Sequence, residues 1–548
     1  MENIEIAKVL EEIGDLLDLQ GENPFRIRAY RNAAETLRTC SERIEDMVEA
    51  GKDLSKLQGI GKSTASKIVE ILETGTCDRL DELREITPSG LLDMTGIPGL
   101  GPKKVMAIYQ TLEISTVEEL KTACENGELA GRVPGMGAKS EAAILAAIET
   151  LPDDTGRVPL RKVMPHILAI GDYLEACDAV VRYEVAGSFR RGRETVHDVD
   201  FLLEVSDRQA AREAVLDYED IRQEIAAGQE KVSFRLKDGL QVDFRFVERE
   251  VFGSALMYFT GSKAHNIELR KRAIERGWKL SEYGLFEGET VLASETEQDV
   301  YAKLELPWIP PELREDRGEL MVAEDGELPS LVAWEDLRGD FLVRVPTLAK
   351  ATEVVEAAED WEYSFIGLAS ASTKEKDVIA HLARVADLDD EMDVHVLGVV
   401  EVDIAEDGSI DASDAVLEAE WVIGAVRSAH GMSESEMTAR IVAAVESGKI
   451  HCLTHPLGRS ADYTARIPVD LDAVLRACAD HDVCVLCGGH PHELEAPEVF
   501  YRSVRDAGVR LALASEATKA EEMWAIELAL KTARRSWATP ADVRNTTL

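Results

Sequence analysis

GSFRRGRETVHDVDFLL, Gly187 to Leu203, sets a Gly-Ser turn and two arginines just ahead of two aspartates one residue apart. In an extended strand alternate side chains share a face. Asp198 and Asp200 are therefore expected to point the same way, with Val199 and Phe201 buried behind them. Two such carboxylates repel unless a hard cation sits between them, and Mg²⁺ is held by one or two carboxylates together with substrate phosphates. Downstream, LQVDFRFV supplies Asp243 in a second alternating strand. Three carboxylates on neighbouring strands form the layout of two-metal phosphoryl transfer. A bare Asp-x-Asp is most often an ordinary exposed strand. The full string G-S-x-R-R-G-x5-D-x-D with a third aspartate is far more specific.

This string resembles the nucleotidyltransferases of the DNA polymerase beta type. The segment MYFTGSKAHNIELRKRA, Met257 to Ala273, narrows the resemblance to the family X DNA polymerases. It runs closely through residues 1 to about 320. The fold class it implies is multi-domain α/β. An all-α helix-hairpin-helix region comes first, then a mixed α+β nucleotidyltransferase palm, then a C-terminal PHP-like α/β barrel. The expected divisions are a lyase-like helical domain at 1–80, a fingers-like subdomain with two hairpins at 81–150, the palm at 151–245, a thumb-like nucleotide-selection subdomain at 246–325, and a degenerate PHP-like domain at 326–548.

Composition bounds the chain independently. At 548 residues it is too long for one core. No run of 18 or more apolar residues appears, so no membrane span is expected. The N-terminus lacks a signal-peptide hydrophobic region, and the eight cysteines are scattered, which fits a reducing cytoplasm. The net charge of −43 divides as −10 over residues 1–150, −13 over 151–330 and −20 over 331–548. The acid excess is a coat, not a tail. With 39 Arg against 22 Lys and few aromatics, it matches the proteome bias of an extreme halophile. Strong salt weakens phosphate contacts by counterion release. Binding of nucleic acid must then lean on backbone donors, metal ions and stacking, with local help from Arg190, Arg191, Arg193 and from Arg270, Lys271, Arg272.

Residues 1–150 read as helices broken by Gly and Pro. Three Gly-x-Gly interruptions recur, at Gly59 and Gly61, Gly99 and Gly101, and Gly135 and Gly137, with Lys62, Lys103 and Lys139 close behind. Paired glycines permit a tight turn, and the following helix presents its positive end, so each unit can hold a DNA phosphate without reading sequence. They resemble helix-hairpin-helix units, which in the family also hold a monovalent cation, K⁺ or Na⁺, on backbone carbonyls. NPFRIRAYRNAAETL with GIGKSTASKI resembles the family's 5′-deoxyribose-phosphate lyase domain. Lys67 falls at the Schiff-base nucleophile, Tyr30 at a supporting tyrosine and Arg26 where a phosphate-binding lysine is common. Ser63 departs from the pattern, standing where a second such lysine is often found. The plainer reading is that Lys67 snorkels and touches a phosphate.

The palm roles follow from charge. Metal ions between Asp198, Asp200 and Asp243, Mg²⁺ or Mn²⁺, would lower the pKa of a primer 3′-hydroxyl and bridge a triphosphate. Gly187 and Ser188 would offer donors to phosphate oxygens, and Arg191, with Arg190 beside it, would neutralise the leaving pyrophosphate. Gly261 with Tyr258 and Phe259 would line the sugar and leave no room for a 2′-hydroxyl. Asn266 would face the base edge, and Arg270, one turn on, would reach the template.

Residues 331–548 alternate strand and helix over roughly 20-residue periods, as an α/β barrel does. EDLRGDFLVRV, GVVEVDIAEDGSID, LTHPLGR and GVRLALASEAT resemble the PHP domain in order, but its metal ligands are largely gone. Ligand positions carry Leu342, Arg344, Ala349, Leu368, Ala369, Arg427, Glu516 and Thr518, leaving Glu401 and His455. Two ligands cannot hold a cluster, so a catalytically dead domain is expected. Cys484 and Cys487 read as strand packing residues in preference to a zinc site.

Together these readings predict a family X DNA-directed DNA polymerase that fills short gaps in repair. Its expected partners are gapped or nicked DNA, deoxynucleoside triphosphates and other repair proteins, and it is expected to be a cytoplasmic monomer. The rival readings are a template-independent nucleotidyltransferase, disfavoured by three DNA-binding hairpins and Arg270, and a non-catalytic DNA-binding scaffold, disfavoured by the intact trio of aspartates.

Overall fold

The computed structural model describes the chain apart from residues 1–2, 40–43, 50, 58, 89, 96, 98–99, 113, 135, 138, 142, 146–156, 373, 411, 430, 455–466, 492–497 and 548. Gly99, Gly135 and His455 thus lie outside the described residues. Two compact units emerge, residues 1–157 with 267–275, and residues 158–266 with 276–548.

The first 157 residues form the helical unit. Ile6, Leu10, Ile13 and Leu17 recur at steps of four, three and four along helix Asn3–Leu19, so they make one stripe, and all four are buried. Ala33 and Leu37 of helix Pro24–Thr39, Ile68 and Ile71 of Lys62–Thr74, and Val105 and Ile108 of Pro102–Leu112 join them in a single continuous core.

In the second unit the palm sheet has five strands. Their spatial order is Val180–Val185, Asp198–Val205, Gln241–Val247, Lys231–Leu236, Ile221–Ala227. All pairs are antiparallel except Asp198–Val205 with Gln241–Val247. The two-residue period works as the sequence implies. Val199, Phe201, Leu203, Val242, Phe244 and Phe246 are buried together, with Phe201 and Phe244 stacked at 5.2 Å. Helix Leu160–Glu175 packs on this face through Val163, Ile167 and Ile170. The thumb-like segment adds helix Phe252–Thr260, and helix Lys263–Glu275 starts in this unit, its residues from 267 on being grouped with the helical one. A three-stranded sheet follows, in which Thr290–Ala293 pairs with Gly284–Glu287 beyond Lys279–Ser281.

Seven parallel strands in chain order, from Gly339–Val345 to Leu511–Ala514, build the barrel. Their burial on both faces is the mark of a parallel sheet covered by helices. Backbone hydrogen bonds from Glu516 N to Leu342 O (3.0 Å) and from Arg344 N to Ala517 O (2.8 Å) tie the last strand's exit to the first strand. Asp340 accepts the Ser515 amide at the same seam (3.1 Å). Phe341, Phe365 and Trp421 share an apolar cluster drawn from the strands, with Phe341 and Trp421 stacked at 4.4 Å. Cys484 and Cys487 are buried in strand Cys484–Gly488, as the packing reading expects.

Candidate active site

The parallel pairing puts Asp200 directly opposite Asp243, with Asp198 two residues earlier on the same face. Ligand oxygens of all three lie within 4.8 Å of one another. Among the described residues this is the one cluster of three or more potential metal-ligating side chains. Burial pushes the Asp200 carboxyl up to about 8, reinforced by the charges of Asp198 and then Asp243 and opposed by Lys231. Like charges so close, in so dry a place, favour a proton or a cation between them. Lys231 already places one cation there, its Nζ 2.6 Å from Asp243 Oδ2, and Gln241 Nε2 donates to Asp243 Oδ1 at 3.1 Å. An all-oxygen carboxylate set of this kind fits hard divalent ions such as Mg²⁺ or Mn²⁺.

Gly187 must be glycine. Its φ is +60°, and a Cβ there would lie 2.5 Å from Asp200 Oδ2. The Gly-Ser segment expected as a turn is one turn of helix, Gly187–Arg190, with Ser188 in its first half. It delivers two arginines to the thumb-like segment. Arg190 makes a two-pronged pair with Glu297 (2.8 and 3.0 Å) and also donates to Thr260 Oγ1 at 2.7 Å. Burial works to raise the Glu297 pKa, but Arg314 and Arg190 outweigh it and hold that carboxyl at about 2. Arg191 donates from Nε to Glu315 (3.0 Å) and from Nη1 to Thr260 O (2.5 Å). Burial pulls the Arg191 guanidinium below its ordinary value, against the pull of Glu315.

Gly261 caps helix Phe252–Thr260 with φ +70°, and a Cβ there would meet Arg191 Nη1 at 3.2 Å. Tyr258 and Phe259 meet edge to face at 5.2 Å, and the Arg245 guanidinium lies 4.5 Å from the Phe259 ring centre. Asn266 donates from Nδ2 to Tyr258 O at 2.7 Å. Its Oδ1 is buried and has no protein partner, an orphaned acceptor. Arg270 lies one turn further along the same helix, Lys263–Glu275.

In the helical unit, Gly59 takes φ +81° and Gly61 caps helix Lys62–Thr74 without any side-chain cap, so the first-turn amides stay available beside exposed Lys62. Gly101 and Gly137 likewise accept from the first turns of the helices after them, with open space where a Cβ would stand. Lys67 is half-buried on helix Lys62–Thr74.

At the barrel mouth Arg344 stands between two acids. It donates to both oxygens of Glu401 (2.8 and 3.0 Å) and to Glu516 (3.1 Å), and Arg427 adds a bond to Glu401 (3.1 Å). A cavity of about 470 Å³ opens there, lined by Arg344, Ser370, Glu401, Asp403 and Arg427 among others.

Sequence reasoning missed Lys231, Gln241, Glu297 and Glu315. Lys231 sits at a strand end where only the register brings it to Asp243, whereas Gln241, two residues before Asp243 on one strand, shares its face by the two-residue period and could have been found. Glu297 and Glu315 reach their arginines across 107 and 124 residues, with no local signal.

Three family models match the chain. A DNA polymerase beta thumb covers residues 255–315, a helix-hairpin-helix domain covers 1–77, and a SAM-like helix-hairpin-helix tandem covers 91–150. A DNA polymerase/3'-5' exonuclease PolX of Bacillus subtilis (strain 168) is 31% identical over 564 aligned positions, spanning 100% of this chain and 97% of the relative. DNA polymerase lambda of Rattus norvegicus is 27% identical over 57% of the chain and 56% of its own length, and that of Arabidopsis thaliana 24% over 53% and 60%. With the trio of aspartates in register, the thumb and the hairpins in place and full-length likeness to such an enzyme, the chain belongs to the family X DNA polymerases.

Proposed function

We propose that the protein fills short gaps in DNA by templated nucleotidyl transfer at Asp198, Asp200 and Asp243, using two divalent ions. The observation that carries this reading is the parallel register that sets Asp200 opposite Asp243, beside the arginine-bearing turn. When bound, Mg²⁺ or Mn²⁺ would lower the pKa of the primer 3′-hydroxyl and offset charge on the triphosphate. The chain's residues do the rest. Asp198 and Asp200 would hold both ions, and Asp243 would stand on the side of the attacking hydroxyl. Gly187 and Ser188 donate to phosphate oxygens, and Arg191 takes charge from the departing pyrophosphate. Gly261, Tyr258 and Phe259 wall the sugar, the orphaned Asn266 Oδ1 marks an amide aimed at the base edge, and Arg270 meets the template. Gly59, Gly61, Gly101 and Gly137 mark the phosphate-holding hairpins, whose turns would also take K⁺ or Na⁺ on backbone carbonyls. The reading places the enzyme in the cytoplasm as a monomer acting on gapped or nicked DNA and deoxynucleoside triphosphates. Extension of a primer across a one-nucleotide gap, lost in Asp243→Ala, tests it.

Lys67 supports a second activity, removal of 5′-deoxyribose phosphate through a Schiff base. A half-buried lysine beside the hairpin turn is placed where its amine can attack the aldehyde of an abasic sugar. Borohydride trapping of a DNA adduct, absent in Lys67→Ala, is the expected result, and equal trapping by the variant would refute it.

The barrel is read as catalytically inactive. A guanidinium bridging Glu401 and Glu516 occupies those acids with a fixed charge and repels an incoming cation. The full chain under Mn²⁺ is expected to leave DNA 3′ ends untrimmed, unlike the exonuclease named for the Bacillus relative. Trimming that survives Asp243→Ala would overturn this.

A further inference from the structure

The barrel's last long helix, Ile526–Arg535, does not end its packing at the barrel. Leu528 is part of the palm's own apolar core, and Trp524 packs on it from the preceding turn. The Lys531 ammonium lies 4.4 Å from the Phe189 ring centre, inside the Gly187–Arg190 turn. A Cβ on Gly192 would meet Lys531 Cβ and Arg535 Cδ, each at 3.1 Å. The helix is therefore seated directly against the segment that carries Arg191.

Arg535 ends this seam. Its side chain is 3% exposed. From Nη1 it donates to the backbone oxygen of Arg191 (2.7 Å) and to Glu315 Oε1 (3.0 Å). That same Glu315 oxygen accepts from Arg191 Nε (3.0 Å), while Glu315 Oε2 faces Arg193 at 3.7 Å. One carboxylate thus serves three guanidinium groups. We propose that Arg535 is a positioning residue for nucleotidyl transfer: from the barrel it occupies Glu315 and pins the Arg191 backbone, keeping the Arg191 guanidinium turned to the phosphates of the incoming nucleotide.

The physical reason is competition. A buried arginine and carboxylate prefer a two-pronged pair. With Arg535 sharing Oε1, Arg191 keeps a single bond to Glu315 and a second to Thr260 O. Without Arg535, Glu315 is free to close on Arg191 with both oxygens and draw it out of the pocket. The barrel, though stripped of metal ligands, is then a working part of the nucleotide site. This inference rests on the polymerase reading above.

The test is steady-state gap filling by the full chain, with KM and kcat for the incoming nucleotide. Arg535→Met keeps the buried stem and removes the fork. It is expected to raise KM about tenfold and to lower kcat as well, since Arg191 both holds the phosphates and takes charge from the departing pyrophosphate. Arg535→Lys, a cation without the fork, should recover part of the loss. Arg534→Met removes neighbouring bonds to Glu312 and Val332 O and should lower thermal stability without moving KM. Should Arg535→Met fail to fold, Arg535→Lys carries the comparison: a raised KM supports the proposal and an unchanged KM overturns it. Equal KM shifts in the Arg534 and Arg535 variants would also overturn it, since the effect would then be general loosening. A wild type that does not extend primers at all overturns the polymerase reading and this one together. A wild type that extends, alongside Arg535→Met with unaltered kinetics, removes this proposal alone.

Discussion

Asp200 concentrates the electrostatic problem of the site. Its carboxyl, at about 8, holds a proton that the unfolded chain releases near 3.8. Between those values the folded state binds more protons than the unfolded one, so its contribution to stability falls as pH rises through that window. A divalent ion among the three acids displaces that proton and restores the charged form. The rise in melting temperature caused by Mg²⁺ is therefore expected to grow from about pH 5 to about pH 8. A shift that shrinks over that range would contradict the cluster's role. Gly187 offers a steric test of the same place. Ala there must accept φ +60° and a contact 2.5 Å from Asp200 Oδ2. Gly187→Ala should lose about 1–3 kcal/mol in denaturant unfolding and most of its primer extension. Much at this scale was legible. The alternation in DVDFLLEV fixes which side chains share a face, so Val199 and Phe201 could be assigned to the core before any coordinates. Lys231 was not legible, because its link to Asp243 depends on register and not on any local pattern.

At the scale of elements, strand register and barrel closure make the arrangement. The parallel pairing of Asp198–Val205 with Gln241–Val247 is what converts two separate motifs into one cluster. Periodicity identifies each strand, but pairing is a tertiary choice that hydrophobic patterns leave open. The four-residue strand Thr290–Ala293 is illegible in the sequence for a related reason, since it is short and buries only Ala293. In the barrel, the sequence shows an arginine at position 344 where the resemblance implies a metal ligand, yet the partners that arginine takes could not be read from it. Arg344 joins Glu401 and Glu516 across 57 and 172 residues. Removing it leaves two acids facing each other in a half-buried mouth, the situation in which breaking one partner costs most. Arg344→Ala is expected to lower stability by about 3–5 kcal/mol, with a thermal melt as the readout, before discounting for residual solvent at the cavity. A change below about 0.5 kcal/mol would show that the bridge is ornamental.

At the scale of the whole molecule, palm, barrel and the thumb-like segment outside residues 267–275 cluster as one compact unit, although the sequence reads most naturally as beads on a string. Composition shifts and motif order mark where each part begins. They carry no trace of Leu528 entering the palm core or of Arg535 reaching Glu315 over 220 residues. A chain cut near residue 325 is therefore expected to expose apolar palm surface, melt at lower temperature and bind nucleotide weakly, readable by calorimetry and by KM. The most direct test of the central claim is primer extension across a one-nucleotide gap with Mg²⁺, comparing the intact chain with Asp243→Asn. The cluster account predicts rapid single-nucleotide addition by the former and a loss of at least about a thousandfold in kcat for the latter. Addition at comparable rates by both would contradict it.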